Sequence, residues 1–288
     1  MATVQVPITS DLTAGDAPFR ASALAVHDAI IACGWTQTAD TGQINFATVT
    51  KPGATGTVAG YAIYKSSDAL SATKPIYLKL EFGTGNSATQ LGFWLQFGTS
   101  TTGAGVLTGQ TSTRRQMIPG AVGVGLTSYF SGDGGRIAAA ICVGGLTGST
   151  TGMYFSVERS HADDGSYDGT GFYWWRASNA SVTSQFIPFT GAIFAEDTRT
   201  PAMMYQPVST GVYGTDTGVY PQLPFLGKWL NPLTNFLSYY RADISAGSQI
   251  PVRLYGVDHN YITMGPGYDT TITALASPAA ASMMMRYE

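Results

Sequence analysis

Ionisable side chains are scarce in this chain of 288 residues: Asp, Glu, Lys and Arg make up 11% of it, against roughly 25% in an ordinary soluble domain. The net charge is −3, and only Arg114 and Arg115 stand together as a basic pair. That distribution lacks the electrostatic footprint that nucleic acid requires. Cysteine is limited to Cys33 and Cys142, far apart and without metal-ligand or CxxC spacing. Both sit in apolar runs, as small buried hydrophobes do. A disulfide between them stays open, and folding in a reducing cytoplasm is the expectation. No apolar run approaches the roughly 18 residues a membrane-spanning helix needs. The opening Met1-Ala-Thr-Val-Gln-Val-Pro has neither the basic nor the apolar region of a secretion signal.

Where charge is missing, Gly, Ser, Thr and Ala take its place. The 35 glycines exceed the usual share of about 7%, which favours turns and closely approaching backbones over helices. A hydroxyl-rich surface is cheaper to desolvate than a charged one, because burying an unpaired charge costs far more than burying a hydrogen-bonded hydroxyl. Such a surface suits lasting contact with other subunits.

The periodicity predicts one helix followed by a mainly β chain. Phe19, Ala23, Val26, Ile30 and Cys33 recur at three- and four-residue spacing. Asp16 is the expected N-cap, Pro18 falls in the first turn, and Gly34 is placed to stop the helix. Residues 1–36 are read as an N-terminal arm and helix, and residues 37–288 as a β-rich body. Ile76, Leu78, Leu80 and Phe82 alternate with Tyr77, Lys79 and Glu81. Leu91, Phe93, Leu95 and Phe97 alternate after a polar turn, so the two runs predict a hairpin with one buried and one wetter face. A second hairpin is predicted over 153–176, with further strands at 43–50, 59–66, 136–143, 181–190 and 251–256. Residues 98–120 read as a long polar loop, the best candidate for an internal boundary. The predicted fold is an antiparallel β-sandwich or barrel-like body with one N-terminal α-helix.

Catalytic signatures are missing. No nucleophile elbow, HExxH, P-loop or dinucleotide fingerprint occurs. The histidines are His27, His161 and His259; Asp258 precedes His259, but neighbours on a strand face opposite ways. Glutamate is confined to Glu81, Glu158, Glu196 and Glu288, and nothing selects a pair for glycoside chemistry. Asp163, Asp164 and Asp168 offer hard oxygen ligands of the kind Ca²⁺ takes, although Asp-Gly is also a hairpin tip. Trp174 and Trp175, beside Phe172 and Tyr173, form the densest aromatic cluster, suited to core or interface packing and secondarily to stacking on sugar. Met283, Met284 and Met285 end an apolar C-terminal stretch. They fit a partner's groove or the underside of their own chain. No cofactor is expected.

The segments Gly34-Trp-Thr-Gln-Thr-Ala-Asp-Thr-Gly-Gln-Ile-Asn, Lys74-Pro-Ile-Tyr-Leu-Lys-Leu-Glu-Phe-Gly-Thr-Gly, Gln96-Phe-Gly-Thr-Ser-Thr-Thr-Gly-Ala-Gly-Val-Leu-Thr-Gly and Tyr154-Phe-Ser-Val-Glu-Arg-Ser resemble parts of structural proteins of tailed bacteriophage virions. The resemblance implies a non-enzymatic particle component of tail, baseplate or neck, made and assembled in the host bacterial cytoplasm. It would associate with copies of itself and with other virion proteins, without inserting into a membrane. A receptor- or glycan-binding virion module, a capsid decoration protein and a particle-borne hydrolase are the competing readings.

Overall fold

The computed structural model describes residues 2–109, 112, 114–118, 123, 125–143, 153–161, 167–176, 181–188, 205–207, 222–226, 231–232, 234–240, 246–254, 257–264 and 281–288. The chain is mainly β, its sheets are antiparallel, and among the described residues no barrel closes. A six-stranded sheet runs in the order β1 (Ala2–Thr9), β9 (Gly125–Gly132), β10 (Ile137–Val143), β11 (Met153–His161), β12 (Tyr167–Arg176) and β13 (Ser181–Pro188). A five-stranded sheet follows the order β2 (Thr36–Gln37), β3 (Val58–Lys65), β4 (Tyr77–Thr84), β5 (Leu91–Gly98) and β8 (Arg115–Met117). A C-terminal sheet orders β14 (Tyr205–Pro207), β15 (Gln222–Leu226), β17 (Phe236–Tyr240), β20 (Ala281–Arg286), β19 (Val257–Thr263) and β18 (Gln249–Leu254), with β16 (Asn231–Pro232) on β15. The short strands β6 (Ser100–Thr101) and β7 (Leu107–Thr108) pair with each other.

The two predicted hairpins are present. β4 and β5 pair Leu78 with Phe97, Leu80 with Leu95 and Phe82 with Phe93, and β11 and β12 pair Met153 with Arg176. The six β4–β5 side chains and Met153, with Phe130, Ala139, Phe155 and Phe172 of the six-stranded sheet, join one hydrophobic cluster. Phe97 meets Phe172 across the two sheets at 4.7 Å between ring centroids. The expected wetter face of β5 is largely covered, because the Arg114 guanidinium lies 4.8 Å over the ring of Trp94.

The opposite face of the six-stranded sheet is covered too. Tyr154 packs edge-on against Phe236 of the C-terminal sheet, centroids 5.9 Å apart. The six-stranded sheet is therefore the middle layer, and strands buried on both faces read as continuous apolar runs. Ile137-Ala-Ala-Ala-Ile-Cys-Val is such a run, and its residues from Ile137 to Cys142 are buried. Its three alanines keep both neighbouring layers close.

The helix α1 (Asp16–Ala32) forms where its apolar stripe predicts. Its end is a Schellman turn: Gly34 adopts φ +84°, its N–H bonds Ile31 O at 2.8 Å, and the Trp35 N–H reaches Ile30 O at 3.4 Å. Its start differs from expectation. Gly15 is the N-cap, and the Asp16 carboxylate accepts from Arg20 and from the Lys51 N–H, 2.8 Å away. Asp16 thus pins a distant loop instead of capping its own helix.

Three further expectations change. Ala2–Thr9 form a strand on β9, so this part of the arm belongs to the middle sheet. Residues 43–50 form turns, because the side chain and carbonyl of Asn45 accept the N–H groups of Ala47, Thr48 and Val49. The 98–120 stretch carries β6, β7 and β8, held by backbone pairing instead of apolar alternation.

Candidate functional site

In a chain with so few charges, their destinations define the polar chemistry, and among those described Asp40, Arg136, Glu158 and Arg159 are buried. The largest cluster lies between the middle and C-terminal sheets. Arg136 and Glu158, both buried, hold the segment before β17 from two sides. Arg136 Nη1 donates to Asn235 Oδ1 at 3.0 Å. Glu158 Oε1 accepts from the N–H groups of Thr234 and Asn235 at 2.7 and 3.2 Å, and Oε2 from the Thr234 hydroxyl at 2.8 Å. Burial pushes the Glu158 carboxyl up, while these donors and Arg136 pull against it.

The cluster continues to the last residue. Glu288 accepts from Arg286 Nη2 at 2.9 Å and faces His259 Nδ1 at 2.8 Å. Its backbone oxygen accepts from the Thr3 hydroxyl at 2.7 Å. The N-terminal strand, the middle sheet and the C-terminal strand are therefore tied by one polar network. Its oxygens are engaged by fixed donors, which makes it a fastening.

Two smaller anchors repeat the pattern. Arg159 on β11 grips both carboxylate oxygens of Asp68 and donates to Lys74 O at 2.9 Å, fixing the loop before β4. Asp40, buried, accepts from the hydroxyls of Thr38 and Thr101 and from the Gly105 N–H, fixing the β6–β7 turn. Beside Asp40 a cavity of about 370 Å³ opens, lined by Thr36, Gln37, Thr38, Lys65, Tyr77 and Thr101 among others. The Lys65 ammonium lies 5.9 Å from the Tyr77 ring centre. The cavity's lining combines hydroxyls, an amide, the Asp40 carboxylate, one cation and one aromatic ring.

The residues singled out from sequence fall in several places. Trp174 is buried in the core cluster, with the Arg115 guanidinium 5.9 Å from its ring. Trp175 follows it on β12. Met284 and Met285 are fully buried on β20, which pairs with β17 and β19 of the same chain; Met283 precedes them on that strand. Asp168 lies on β12. Asp163 and Asp164 lie outside the described residues. Among the described residues no three His, Cys, Asp or Glu side chains gather as a metal-ligand set, and no helix is long and apolar enough to cross a membrane.

Other titratable groups among the described residues also find places. His27 Nδ1 lies 3.0 Å from the Tyr64 hydroxyl, and burial lowers its pKa against the opposing Asp28 charge. Asp258 stands 4.0 Å from Arg253, exposed, while His259 turns to Glu288. The two side chains thus diverge as strand neighbours do. Cys33 and Cys142 are free thiols, and burial pushes Cys33 up to about 12. Sequence reasoning missed the Arg136–Glu158–Asn235 cluster, because only strand register brings those residues together.

No protein-family model, curated protein or solved structure matches the chain.

Proposed function

We propose that this chain is a non-enzymatic structural component of a tailed-phage particle, in the tail, baseplate or neck, assembling with copies of itself and with neighbouring virion proteins. The carrying observation is how little charge the chain has and where it goes. The clusters around Arg136, Asp68 and Asp40 spend ionisable groups on internal ties. The chain as a whole is poor in charge and rich in Thr, Ser and Gly, a composition that loses little on permanent burial. The segments resembling virion proteins give the reading its biological setting. Mass spectrometry of purified particles, with copy number, tests it: the chain should be present in stoichiometric multiples. Its absence from particles of a phage that encodes it overturns the reading.

The cavity beside Asp40 favours one second reading, a glycan-recognising virion module. A glycan array compared between the native chain and Tyr77→Ala tests it. Binding lost in the variant supports recognition, and no binding by the native chain rejects it.

A further inference from the structure

The cavity beside Asp40 is assembled from three parts of the chain: β2 with the residues that follow it, the cross-strand neighbours Lys65 and Tyr77, and the β6–β7 turn. The turn is fixed in place. Gly103 O accepts from the Thr41 N–H at 2.8 Å, and the Gly105 N–H donates to Asp40 at 3.1 Å. The volume, about 370 Å³, lies at the small end of the roughly 300–1,000 Å³ typical of ligand pockets. A cavity of that size admits one small ring.

What the lining can still offer follows from the bonds already made. Thr38 and Thr101 each give their single hydroxyl hydrogen to Asp40, so any further bond they form is as acceptors. With the Gly105 N–H they engage both oxygens of Asp40, which makes that carboxylate a brace. Gln43 Oε1 accepts from the Ile63 N–H at 2.8 Å and therefore faces the NH₂ of the Gln37 amide, 3.1 Å away. Gln37 Oε1 is left as a third acceptor. Against these acceptors stands one charged donor. Lys79, two residues from Tyr77 on the same face of β4, is 3.1 Å from Glu81. Lys65 forms no ion pair or hydrogen bond among the described residues and lies 5.9 Å from the centre of the Tyr77 ring.

We infer that this cavity binds a single sugar ring bearing a carboxylate, of the uronic acid kind. The carboxylate meets Lys65, ring hydroxyls donate to Thr38, Thr101 and Gln37 Oε1, and the apolar ring face lies against Tyr77. This rests on the glycan reading above and narrows it. A neutral sugar uses the acceptors and the aromatic ring but leaves the ammonium without a counter-charge. A phosphate asks for several strong donors, and the lining holds one cation. A plain organic acid uses Lys65 and leaves the three acceptors and the ring idle. Only the acidic sugar engages every group still open, as a site built from a few placed polar groups requires.

NMR titration of the full chain with methyl glucuronide, methyl glucoside and acetate tests this. Ligands so small should bind at about millimolar affinity. The glucuronide should bind roughly tenfold tighter than the glucoside, the scale of one charge-assisted hydrogen bond in a half-open site. That advantage should shrink as salt is added. Lys65→Met keeps the apolar stem and should bring the glucuronide down to the glucoside's affinity, whereas Lys65→Arg should keep the preference. Thermal midpoints of both variants should match the native chain. Tyr77→Ala should weaken both sugars alike. Equal affinity of the native chain for the two sugars, or a preference that survives Lys65→Met, overturns this inference and leaves the glycan reading standing. Acetate binding as tightly as the glucuronide overturns the sugar ring as the ligand. Binding of neither sugar overturns the inference and the glycan reading together.

Discussion

Arg159 holds Asp68 through two parallel N–H···O bonds, joining β11 to a loop 91 residues away in sequence. The guanidinium is almost wholly buried, and the Asp68 side chain keeps 22% of its surface in solvent. Arg159→Met leaves that carboxylate without its partner. The expected cost is about 2–3 kcal/mol, below the 3–5 of a fully buried pair because Asp68 is partly hydrated. Arg159→Lys should recover little, since an ammonium cannot reproduce the fork. Urea unfolding of both single variants and of Arg159→Met/Asp68→Asn checks this. The double variant should lose clearly less than the sum of the singles.

Glu158 is the acceptor that holds the C-terminal sheet to the middle layer. Glu158→Ala strands the backbone donors of Thr234 and Asn235 in a buried site. At about 1–3 kcal/mol for each unsatisfied donor, the expected loss is about 2–6 kcal/mol. Glu158→Gln keeps one carbonyl oxygen and should lose less. Hydrogen exchange locates the effect: protection should fall first in 234–240 and 281–286, while 77–98 stays protected. Uniform loss across both regions would contradict this role.

How much of this was legible depends on whether local chemistry or distant pairing decides. The β4–β5 hairpin was readable because Leu78, Leu80, Phe93 and Leu95 alternate without interruption. Ile44, Phe46 and Val49 imitate a strand, but Asn45 satisfies the next N–H groups locally, and a turn wins. Phe46 then packs on His27 and Phe82 without belonging to any sheet. Asp16 looked like a cap because its type and position fit; its real acceptor role depends on Lys51, 35 residues on. The Arg136 cluster draws on residues 133 to 288, and no spacing rule connects them.

Gly105 and Gly103 separate backbone strain from steric clash. Both adopt left-handed φ, +83° and +81°. A Cβ on Gly103 meets nothing within 4 Å, whereas one on Gly105 falls 2.2 Å from the Tyr61 hydroxyl. Gly103→Ala should cost about 1–2 kcal/mol, the left-handed penalty alone. Gly105→Ala adds overpacking of about 1–3 kcal/mol and disturbs the N–H that Asp40 accepts. Thermal melts of the two variants check the ordering. Equal destabilisation would mean that Tyr61 moves aside freely.

Acid should destabilise the fold in two stages. Burial, opposed by neighbouring carboxylates, lowers the pKa of His27 and His259 below 6.5 in the folded state. As pH falls through about 6.5 the unfolded chain takes up protons that the folded chain refuses, so stability declines. The second stage belongs to Asp40, Asp68 and Glu288. Burial raises each carboxyl, but hydrogen bonds from Thr101, Arg159 and Arg286 outweigh it and leave all three lowered. Depressed carboxylates stabilise the fold above their unfolded pKa, near 4, and that contribution vanishes as pH falls through the folded values. Urea midpoints from pH 8 to pH 3 should step down first near 6 and again below 4. His27→Gln with His259→Gln should erase the first step and keep the second, because a neutral amide has no proton to refuse.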